Sequence, residues 1–411
     1  MRIAHVITRM IVGGAQENTL LCCQDLIRLF GDDVLLVTGP SLGPEGELLT
    51  QGRGGGVPLA LVPSLRRAIH PWNDWQAYRA VRGILRDFRP DVVHTHSAKG
   101  GVLGRLAAHA LRVPAIVHTV HGAPFHPYQH AAARTLFRWC ETYAARRCHR
   151  LVSVADAMTD LLVDAGVAPR DKFTTVYSGM DVEPFLAAGE HRQRVRDELG
   201  YSDQHVVFGK IARLFHLKGH EYLIAAASGV VRACPDARFL LVGDGLLRGA
   251  LEDQIRQAGL EPHFHFTGLV PPGRIPELVG AMDALVHVSL REGLARALPQ
   301  ALIAGKPVVS YDVDGAREVA IHGETGYLLP PKSIEPLGEA LIRLAGDAAL
   351  RQRLGHCGRQ RFTEQFRHER MTRQLRALYE RLLFALSVER DPWVERAKEG
   401  KLKHEFETVA A

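Results

Sequence analysis

The chain has 411 residues, of which 46% are hydrophobic and 23% are charged, with a formal net charge of +6. This is an ordinary globular balance, and the length suffices for two or three domains. Six cysteines without metal-type spacing indicate a reducing compartment and argue against a disulfide framework. No apolar run approaches the roughly 18 residues of a membrane span, and the N-terminal run is broken by His5 and Arg9, so we expect no signal peptide.

Short apolar runs rich in β-branched residues alternate with longer helical patterns along the first half of the chain. These runs predict strands at Ile3–Ile7, Val34–Val37, Val92–His94, Ala115–Val117 and Leu151–Val154. Alternation of this kind is typical of a parallel sheet with helices on both faces. The first half is therefore predicted to be a doubly wound α/β domain.

The second half repeats the scheme. Its predicted strands are Val206–Ile211, Phe239–Val242, Phe264–Thr267, Ala284–Val288 and Val308–Ser310. We therefore predict two doubly wound, Rossmann-like domains, at residues 1–183 and 184–369. A helix from about 370 to 388 follows, and residues 389–411 form a charged tail.

Glycine-rich and basic turns follow several of the predicted strands. Gly13 and Gly14 follow the first strand, where a ligand can approach the backbone closely. Arg213 ends a strand in the second half and Lys218 precedes the next helix, a pattern that suits a diphosphate. Gly243 begins a G-x-G after another strand, which keeps a nicotinamide-dependent dehydrogenase open as an alternative.

The most informative stretch is Ser289–Pro307, which follows an apolar strand. Glu292 lies in the loop, and a helix is predicted from Leu294 or Ala295 to about Ala304. Helix starts favour anions, while a carboxylate there suits sugar hydroxyls, and a nucleotide sugar carries both groups. Gln300 comes about two helical turns after Glu292, on the same side. Pro299 predicts that the first turn is loose or that the regular helix begins later.

Four histidines, His94, His96, His118 and His121, lie at the ends of two predicted strands. His94 and His96 share a face because strands have a period of two. No carboxylate spacing supports a metal site, so we expect none. His121 is placed to contact a substrate, although a structural role stays open. Asp312-x-Asp314 matches a cation-binding pattern, but a loop rich in turn-forming residues is the better explanation.

Two further segments suggest contacts with an acceptor or a membrane. Lys99 follows a strand at a predicted helix start, where it suits an acceptor phosphate. The segment 125–150 combines arginines with Phe137, Trp139 and Tyr143. It suits peripheral contact with an anionic membrane, and packing of the aromatic residues in a core is the alternative. We expect no nucleic acid as a partner.

Together these motifs resemble the family 4 glycosyltransferases, which have the two-domain GT-B fold. The resemblance covers Met1 to about Asp347. It rests on GGAQ at Gly13–Gln16, HG at His121–Gly122, Arg213 with Lys218-Gly219, VGDG at Val242–Gly245, FTG at Phe266–Gly268 and EGLARALPQALIAGKPVV at Glu292–Val309. It implies retaining transfer from a nucleoside-diphosphate sugar bound in a cleft between the domains. It also implies that the last long helix, from about 370 to 388, crosses back to pack on the first domain.

The resemblance also implies roles for individual residues. Glu292 and His121 would contact the donor sugar, Arg213 and Lys218 would neutralise the leaving diphosphate, and the amides of Leu294 and Ala295 would contact sugar and phosphate. The further residues implied in donor binding are Gly13, Gly14, Gly243 and Gln300. No cofactor is implied beyond the donor, for which UDP is the first expectation and GDP the second.

Two positions depart from the family pattern. Gln300 stands where the family has a second glutamate associated with the donor ribose, and Ser178 stands where asparagine is common. Glutamine still hydrogen-bonds but lacks the charge. Two functions stay open: an active transferase that builds a polysaccharide or glycolipid on a glycan or lipid-linked acceptor, and a catalytically silent nucleotide-sugar-binding protein. In both cases we expect a cytoplasmic location, and peripheral contact with the inner membrane face stays open.

Overall fold

The computed structural model describes residues 1–41, 48, 49 and 55–389, so the predicted tail from residue 390 onward lies outside the described residues. The fold contains two wholly parallel sheets, one in each half of the chain. The first has seven strands in the order β3-β2-β1-β4-β5-β6-β7. These are β1 (Arg2–Arg9), β2 (Asp33–Gly39), β3 (Leu59–Leu61), β4 (Val92–His96), β5 (Ala115–Val120), β6 (Arg150–Ser153) and β7 (Phe173–Thr175).

The second sheet has six strands in the order β10-β9-β8-β11-β12-β13. These are β8 (Val206–Ile211), β9 (Ala237–Val242), β10 (Phe264–Gly268), β11 (Ala284–His287), β12 (Val308–Tyr311) and β13 (Gly326–Leu329). The predicted class, two doubly wound α/β units, is confirmed. Three edge strands, β3, β7 and β13, were missed. β3 and β7 have only three residues each, which is too few to give a periodic signal.

Fourteen α-helices among the described residues cover the sheets. They are α1 (Gly14–Phe30), α2 (Pro71–Phe88), α3 (Ala98–Ala110), α4 (Ala131–Ala145), α5 (Asp156–Asp164), α6 (Glu183–Leu186), α7 (Arg192–Glu198), α8 (His220–Ala233), α9 (Arg248–Gln257), α10 (Arg274–Ala281), α11 (Ala297–Ile303), α12 (Ile334–Gly346), α13 (Ala348–Phe362) and α14 (His368–Glu389). Local sequence explains several of their ends. Gly31, in a left-handed conformation, ends α1, and the Asp347 carboxylate caps α13 by accepting from the Leu350 amide.

The last helix, α14, packs against the first sheet and α1. Its Tyr379 and Met371 are buried in the same apolar cluster as Ile3 and Leu26. Polar contacts reinforce this, since the Asp25 carboxylate accepts from the Thr372 hydroxyl at 2.9 Å. The chain thus returns from the second sheet to the first. The domain boundary at residue 183 stays a prediction.

The carboxyl ends of the central strands lead into the loops that carry the candidate residues. β1 leads to Gly13, β5 to His121, β8 to Arg213 and β11 to Glu292. Ligands of doubly wound sheets bind outside the carboxyl ends of their strands. The two sheets direct these ends toward one cleft, because residues after β1 and residues after β8 and β11 line the same cavity.

Candidate active site

A cavity of about 690 Å³ lies between the two halves of the chain. Its volume is typical of small-molecule sites. Most of the predicted site residues line it: Gly13, Gly14, Arg213, Lys218, Glu292, Ala295 and Gln300. The cavity therefore brings together the glycine turn of the first sheet and the basic and acidic loops of the second.

Glu292 is held by three neighbours within the cavity wall. Its Oε1 lies 2.6 Å from the Lys218 Nζ and 3.2 Å from the His287 Nε2. Its backbone amide donates to the Asp314 carboxylate at 2.7 Å. Burial alone would raise the pKa of Glu292, but the Lys218 ammonium and the His287 hydrogen bond hold it well below its usual value. The carboxylate is therefore ionised and acts only as a hydrogen-bond acceptor.

Lys218, which the sequence predicts to meet a diphosphate, pairs with the Glu292 carboxylate. Both side chains are about one-fifth exposed, at 21% each, so the pair remains open to the cavity. An ammonium has three N–H donors, which leaves capacity for a phosphate oxygen. Lys218 can thus connect the carboxylate to an anionic ligand.

A layer of buried basic side chains lies behind this pair. Lys210 is fully buried, and burial together with Lys218 lowers its pKa to about 7. Its Nζ and both ring nitrogens of His220 find no hydrogen-bond partner among the described residues. His287 Nδ1 is likewise unpartnered within that part of the chain. Sequence reasoning missed this layer, since only burial distinguishes Lys210 from a surface lysine.

Arg296 bridges the two halves of the chain and was not predicted as a site residue. Its guanidinium donates to the Glu17 carboxylate at 3.0 Å and to the Gly179 carbonyl at 3.1 Å. A Cβ at Gly14 would lie 2.5 Å from the Arg296 Cδ. A side chain at position 14 would therefore displace Arg296, in addition to narrowing the cavity that Gly14 lines. The only available sequence signal was a basic residue soon after Glu292.

His121 lies beside the Glu292 loop. A Cβ at Gly293 would meet the His121 carbonyl at 2.2 Å, so glycine is needed for the two loops to touch. His121 does not line the 690 Å³ cavity among the described residues. Burial and the Arg296 charge lower the pKa of His121 to about 3, so its ring is neutral at pH 7. Its contact with a donor sugar stays a prediction.

A row of buried imidazoles extends from His121 into the first sheet. His121 Nε2 lies 3.2 Å from His96 Nδ1, and His96 Nε2 lies 3.0 Å from His5 Nδ1. His94 shares the face of His96, as the strand period predicts, and contacts the Tyr379 hydroxyl. Ligand nitrogens of His5, His94 and His96 lie within 4.8 Å of one another. Hydrogen bonds engage both ring nitrogens of His94 and of His96, whereas His5 Nε2 has no partner among the described residues. These contacts explain the histidines as a buried polar network.

Several predicted residues have roles other than lining the cavity. Leu294 is buried beside Ala295, and Gly243 adopts φ 135° where a Cβ would lie 2.3 Å from the Ala212 carbonyl. Lys99, predicted to meet an acceptor phosphate, pairs with Asp74 at 2.5 Å. Gly243 thus allows close backbone packing, and the contact of Lys99 with an acceptor phosphate stays a prediction.

The Asp312-x-Asp314 pattern separates into two unrelated contacts. Asp312 pairs with Arg317 at 2.9 Å, and Asp314 accepts from the Glu292 amide. Asp314 has φ 50°, a left-handed conformation that aspartate tolerates better than most residues. The turn interpretation agrees with this geometry, and Asp314 gains an unforeseen role in positioning the Glu292 loop.

The predicted helix start at Leu294 or Ala295 is wrong, because the regular helix α11 runs from Ala297 to Ile303. Pro299 therefore lies in the first turn, where its missing N–H breaks no intrahelical bond. Residues 293–296 form the turn that carries the predicted amides. This later start of the regular helix is one of the two possibilities that Pro299 predicted.

A second cavity, of about 460 Å³, lies on the other side of Glu292. It is lined by Arg134 and Arg138 from α4, by Arg291 and Asp314, and by apolar residues that include Phe125. Glu292 is the one described residue that lines both cavities. The carboxylate therefore stands where two ligands would meet.

The aromatic residues of α4 divide between core and surface. Phe137 packs against the core, whereas Trp139 is 61% exposed and Tyr143 is 38% exposed. The rings of Trp139 and Tyr143 stack, with centroids 5.4 Å apart, and the Arg147 guanidinium lies over Tyr143. Core packing thus accounts for Phe137 only, and α4 presents an exposed aromatic and basic face.

Comparison with known proteins gives two family matches. Residues 191–361 match the model described as glycosyl transferases group 1, and residues 13–179 match the glycosyl transferase 4-like domain. The chain is 30% identical to a 2-deoxystreptamine N-acetyl-D-glucosaminyltransferase of Streptomyces fradiae, covering 82% of each protein. This chain belongs to the family 4 glycosyltransferases.

Other relatives agree with this family and its GT-B fold. The glycosyltransferase is 28% identical to an Escherichia coli UDP-Gal:alpha-D-GlcNAc-diphosphoundecaprenol alpha-1,3-galactosyltransferase, over 85% of this chain and 89% of that protein. The crystal structure of Anabaena HepE in complex with UDP superposes with a TM-score of 0.77 at 23% identity, covering 92% of this chain and 100% of that chain. The protein is thus an enzyme that uses a nucleotide sugar. Among its described helices, none has the length and apolar character needed to cross a bilayer.

Proposed function

We propose that this glycosyltransferase moves a sugar, with retention of anomeric configuration, from a UDP-sugar to a glycan or lipid-linked acceptor in polysaccharide or glycolipid synthesis. The observation that carries the proposal is Glu292, the one described residue shared by the large cleft and the second cavity. The donor occupies the cleft and the acceptor reaches the carboxylate from the second cavity. GDP is the alternative nucleotide.

The charges in the cleft suit a departing diphosphate. Arg213 and Lys218 line it on the side of the second sheet. Cations placed where negative charge develops stabilise a transition state more than a ground state. The bond between the anomeric carbon and the phosphate oxygen breaks while the acceptor oxygen bonds to the same face. The acceptor proton passes to the departing phosphate, so no protein base is needed.

Glu292 orients the sugar instead of acting as a base. Its low pKa makes it a poor proton acceptor at neutral pH, and the Lys218 contact fixes one of its oxygens. The remaining acceptor sites suit sugar hydroxyls. The name of the E. coli relative specifies a UDP-sugar donor and a diphosphoundecaprenol acceptor, which supports UDP and a lipid-linked acceptor here.

A turnover assay tests the proposal. Purified protein is incubated with labelled UDP- and GDP-sugars and a panel of lipid-linked glycans, and Glu292→Gln is compared with the exposed control Glu335→Gln. We expect Glu292→Gln to lower kcat/KM by on the order of 100-fold or more, while the control stays near wild type. Wild-type turnover in Glu292→Gln would refute the role. An inverted product, seen by NMR of the new anomeric proton, would refute retention.

Peripheral membrane contact is the remaining part of the proposal. The exposed face of α4, with Trp139, Tyr143 and Arg147, supports it. We expect the protein to sediment with phosphatidylglycerol vesicles at low salt and to be released at high salt. Trp139→Ser should weaken sedimentation, whereas Trp72→Ser, which replaces another exposed tryptophan, should not. A protein that fails to sediment at low salt would contradict the membrane contact.

A further inference from the structure

The second cavity presents two guanidinium groups from one helix face. Arg134 and Arg138 are spaced four residues apart on α4, so their side chains lie on the same side of the helix. Both line the cavity, and both are exposed. No carboxylate among the described residues forms an ion pair with either guanidinium. In contrast, Arg105 and Arg296 are each paired with a glutamate.

The rest of the cavity wall allows an anion near these arginines. Arg291, from the Glu292 loop, adds a third cation and is fixed by donating to the Ala123 carbonyl. Glu292 also lines the cavity, but Lys218 pairs with its carboxylate. Asp314, at the same wall, accepts a hydrogen bond from the Glu292 amide and interacts with the Arg291 charge. The arginines of α4 therefore face a space in which negative charge is otherwise compensated.

The remaining lining suits a sugar ring. Tyr128 is 51% exposed and lies at the cavity, and Phe125 and Leu290 contribute apolar surface. Aromatic faces beside polar groups are typical of carbohydrate and small-molecule sites. A volume of about 460 Å³ admits one sugar together with a phosphorylated group. A sugar placed here presents its hydroxyls toward Glu292.

We propose that the second cavity binds the phosphate or diphosphate group of a phosphorylated sugar acceptor, with Arg134 and Arg138 holding the anion and the acceptor hydroxyl directed to Glu292. This inference rests on the proposed function, because it assigns the acceptor of the same site. The two arginines act in acceptor binding and do not contact the reacting atoms. Arg138 and Arg134 thereby set specificity for an anionic acceptor over a neutral one.

The phosphorylated acceptor is either free or attached to a lipid. Trp139 directly follows Arg138 on α4 and is 61% exposed, and Tyr128, at the cavity itself, is 51% exposed. An alkyl chain leaving the cavity along α4 would cover these apolar side chains. A lipid-attached diphosphate should therefore bind more tightly than the same diphosphate without its chain.

Calorimetry measures anion binding without turnover. Inorganic pyrophosphate is titrated into the full-length protein with UDP saturating the cleft, and the experiment is repeated with N-acetylglucosaminyl diphosphate with and without an octyl chain. We expect the wild type to bind pyrophosphate at one site, which is a second site beside the one filled by UDP. The double variant Arg134→Gln/Arg138→Gln should raise its Kd at least about 10-fold. The control Arg370→Gln/Arg373→Gln removes two exposed charges on α14, away from this cavity, and should leave the Kd unchanged.

Each outcome has a defined meaning. Equal pyrophosphate affinity in the wild type and in Arg134→Gln/Arg138→Gln would overturn the site, as would the absence of a second site. A lower Kd with the octyl chain supports a lipid-attached acceptor, and equal affinities support a free phosphorylated sugar. Intact second-site binding in a protein that transfers no sugar would count against the proposed function alone.

In the transfer assay, the same double variant should raise the acceptor KM for the octyl diphosphate sugar at least about 10-fold and leave the donor KM unchanged. It should not alter transfer to the matching neutral octyl glycoside. An equal loss of transfer to both acceptors would indicate general damage to the site. It would overturn the role of Arg134 and Arg138 in acceptor specificity.

Discussion

Replacing Lys210 with methionine should stabilise the protein at neutral pH and much less at alkaline pH. Lys210 is fully buried at the end of β8, and its Nζ lacks a hydrogen-bond partner among the described residues. Burial lowers its pKa from 10.5 to about 7. Methionine has a similar length and no charge, so it should fill the same space with little strain.

The magnitude follows from the two pKa values. Between about pH 7 and 10.5 the unfolded chain carries a proton on Lys210 that the folded protein lacks, so stability rises with pH across this window. The free-energy cost of burying Lys210 is therefore largest at and below pH 7. Since one pKa unit corresponds to about 1.4 kcal/mol, burying this lysine costs about 4 kcal/mol at pH 7 and about 1.4 kcal/mol at pH 9.5. The variant should gain these amounts.

Urea denaturation of the wild type and Lys210→Met at both pH values measures the difference in the free energy of unfolding. When the two proteins are compared at one pH, the contributions of the other titrating groups to the free energy of unfolding cancel. Lys332→Met serves as the control, because Lys332 is exposed and the substitution keeps the Cβ. We expect the control to differ little from the wild type at either pH.

A variant that is less stable than the wild type at pH 7 would refute this reasoning. So would a stability gain that is the same at pH 7 and pH 9.5. Either result would mean that the Lys210 ammonium is compensated in the folded protein, for example by a closer approach to Glu292.

Three further predictions concern single contacts. Gln300→Glu should tighten UDP binding about fivefold in calorimetry, since a charged acceptor strengthens a ribose hydrogen bond; unchanged or weaker binding would place Gln300 away from the ribose. Asp314→Ala should lower kcat about 10-fold and Asp314→Asn less than threefold, because only alanine loses both the Glu292 amide contact and the tolerance for φ 50°. Arg105→Met should lower the free energy of unfolding by about 3–5 kcal/mol, because it leaves the buried Glu141 carboxylate without its guanidinium partner. In urea denaturation the double variant Arg105→Met/Glu141→Leu should recover this stability. An Arg105→Met protein as stable as the wild type would contradict the role of the buried pair.

The sequence predicted the strands and the general location of the site for a local reason. Buried parallel strands are short β-branched runs, and turns of glycine and basic residues mark where they end. Glu292, Lys218 and Gly14 were identified because each follows such a strand and because the stretch from Glu292 to Val309 is specific to the family. Their presence in one cleft followed from the architecture of doubly wound sheets.

Contacts between distant segments were not predicted in this way. Arg296 meets Glu17 across 279 positions, and Lys218 meets Glu292 across 74. Neither pairing leaves a trace in local periodicity or composition. The same is true of Asp314, whose turn sequence was recognised while its hydrogen bond to the Glu292 loop was not.

The sequence by itself thus determined the parallel sheets, the family and the loops that carry the chemistry. The tertiary structure alone decided how these groups are charged and paired. It placed Lys218 on Glu292, buried Lys210 without a partner, tied His121 to His96 and opened a second cavity beside α4. The physical reason is that burial and charge pairing depend on distances through space, whereas a sequence pattern reports only neighbours along the chain.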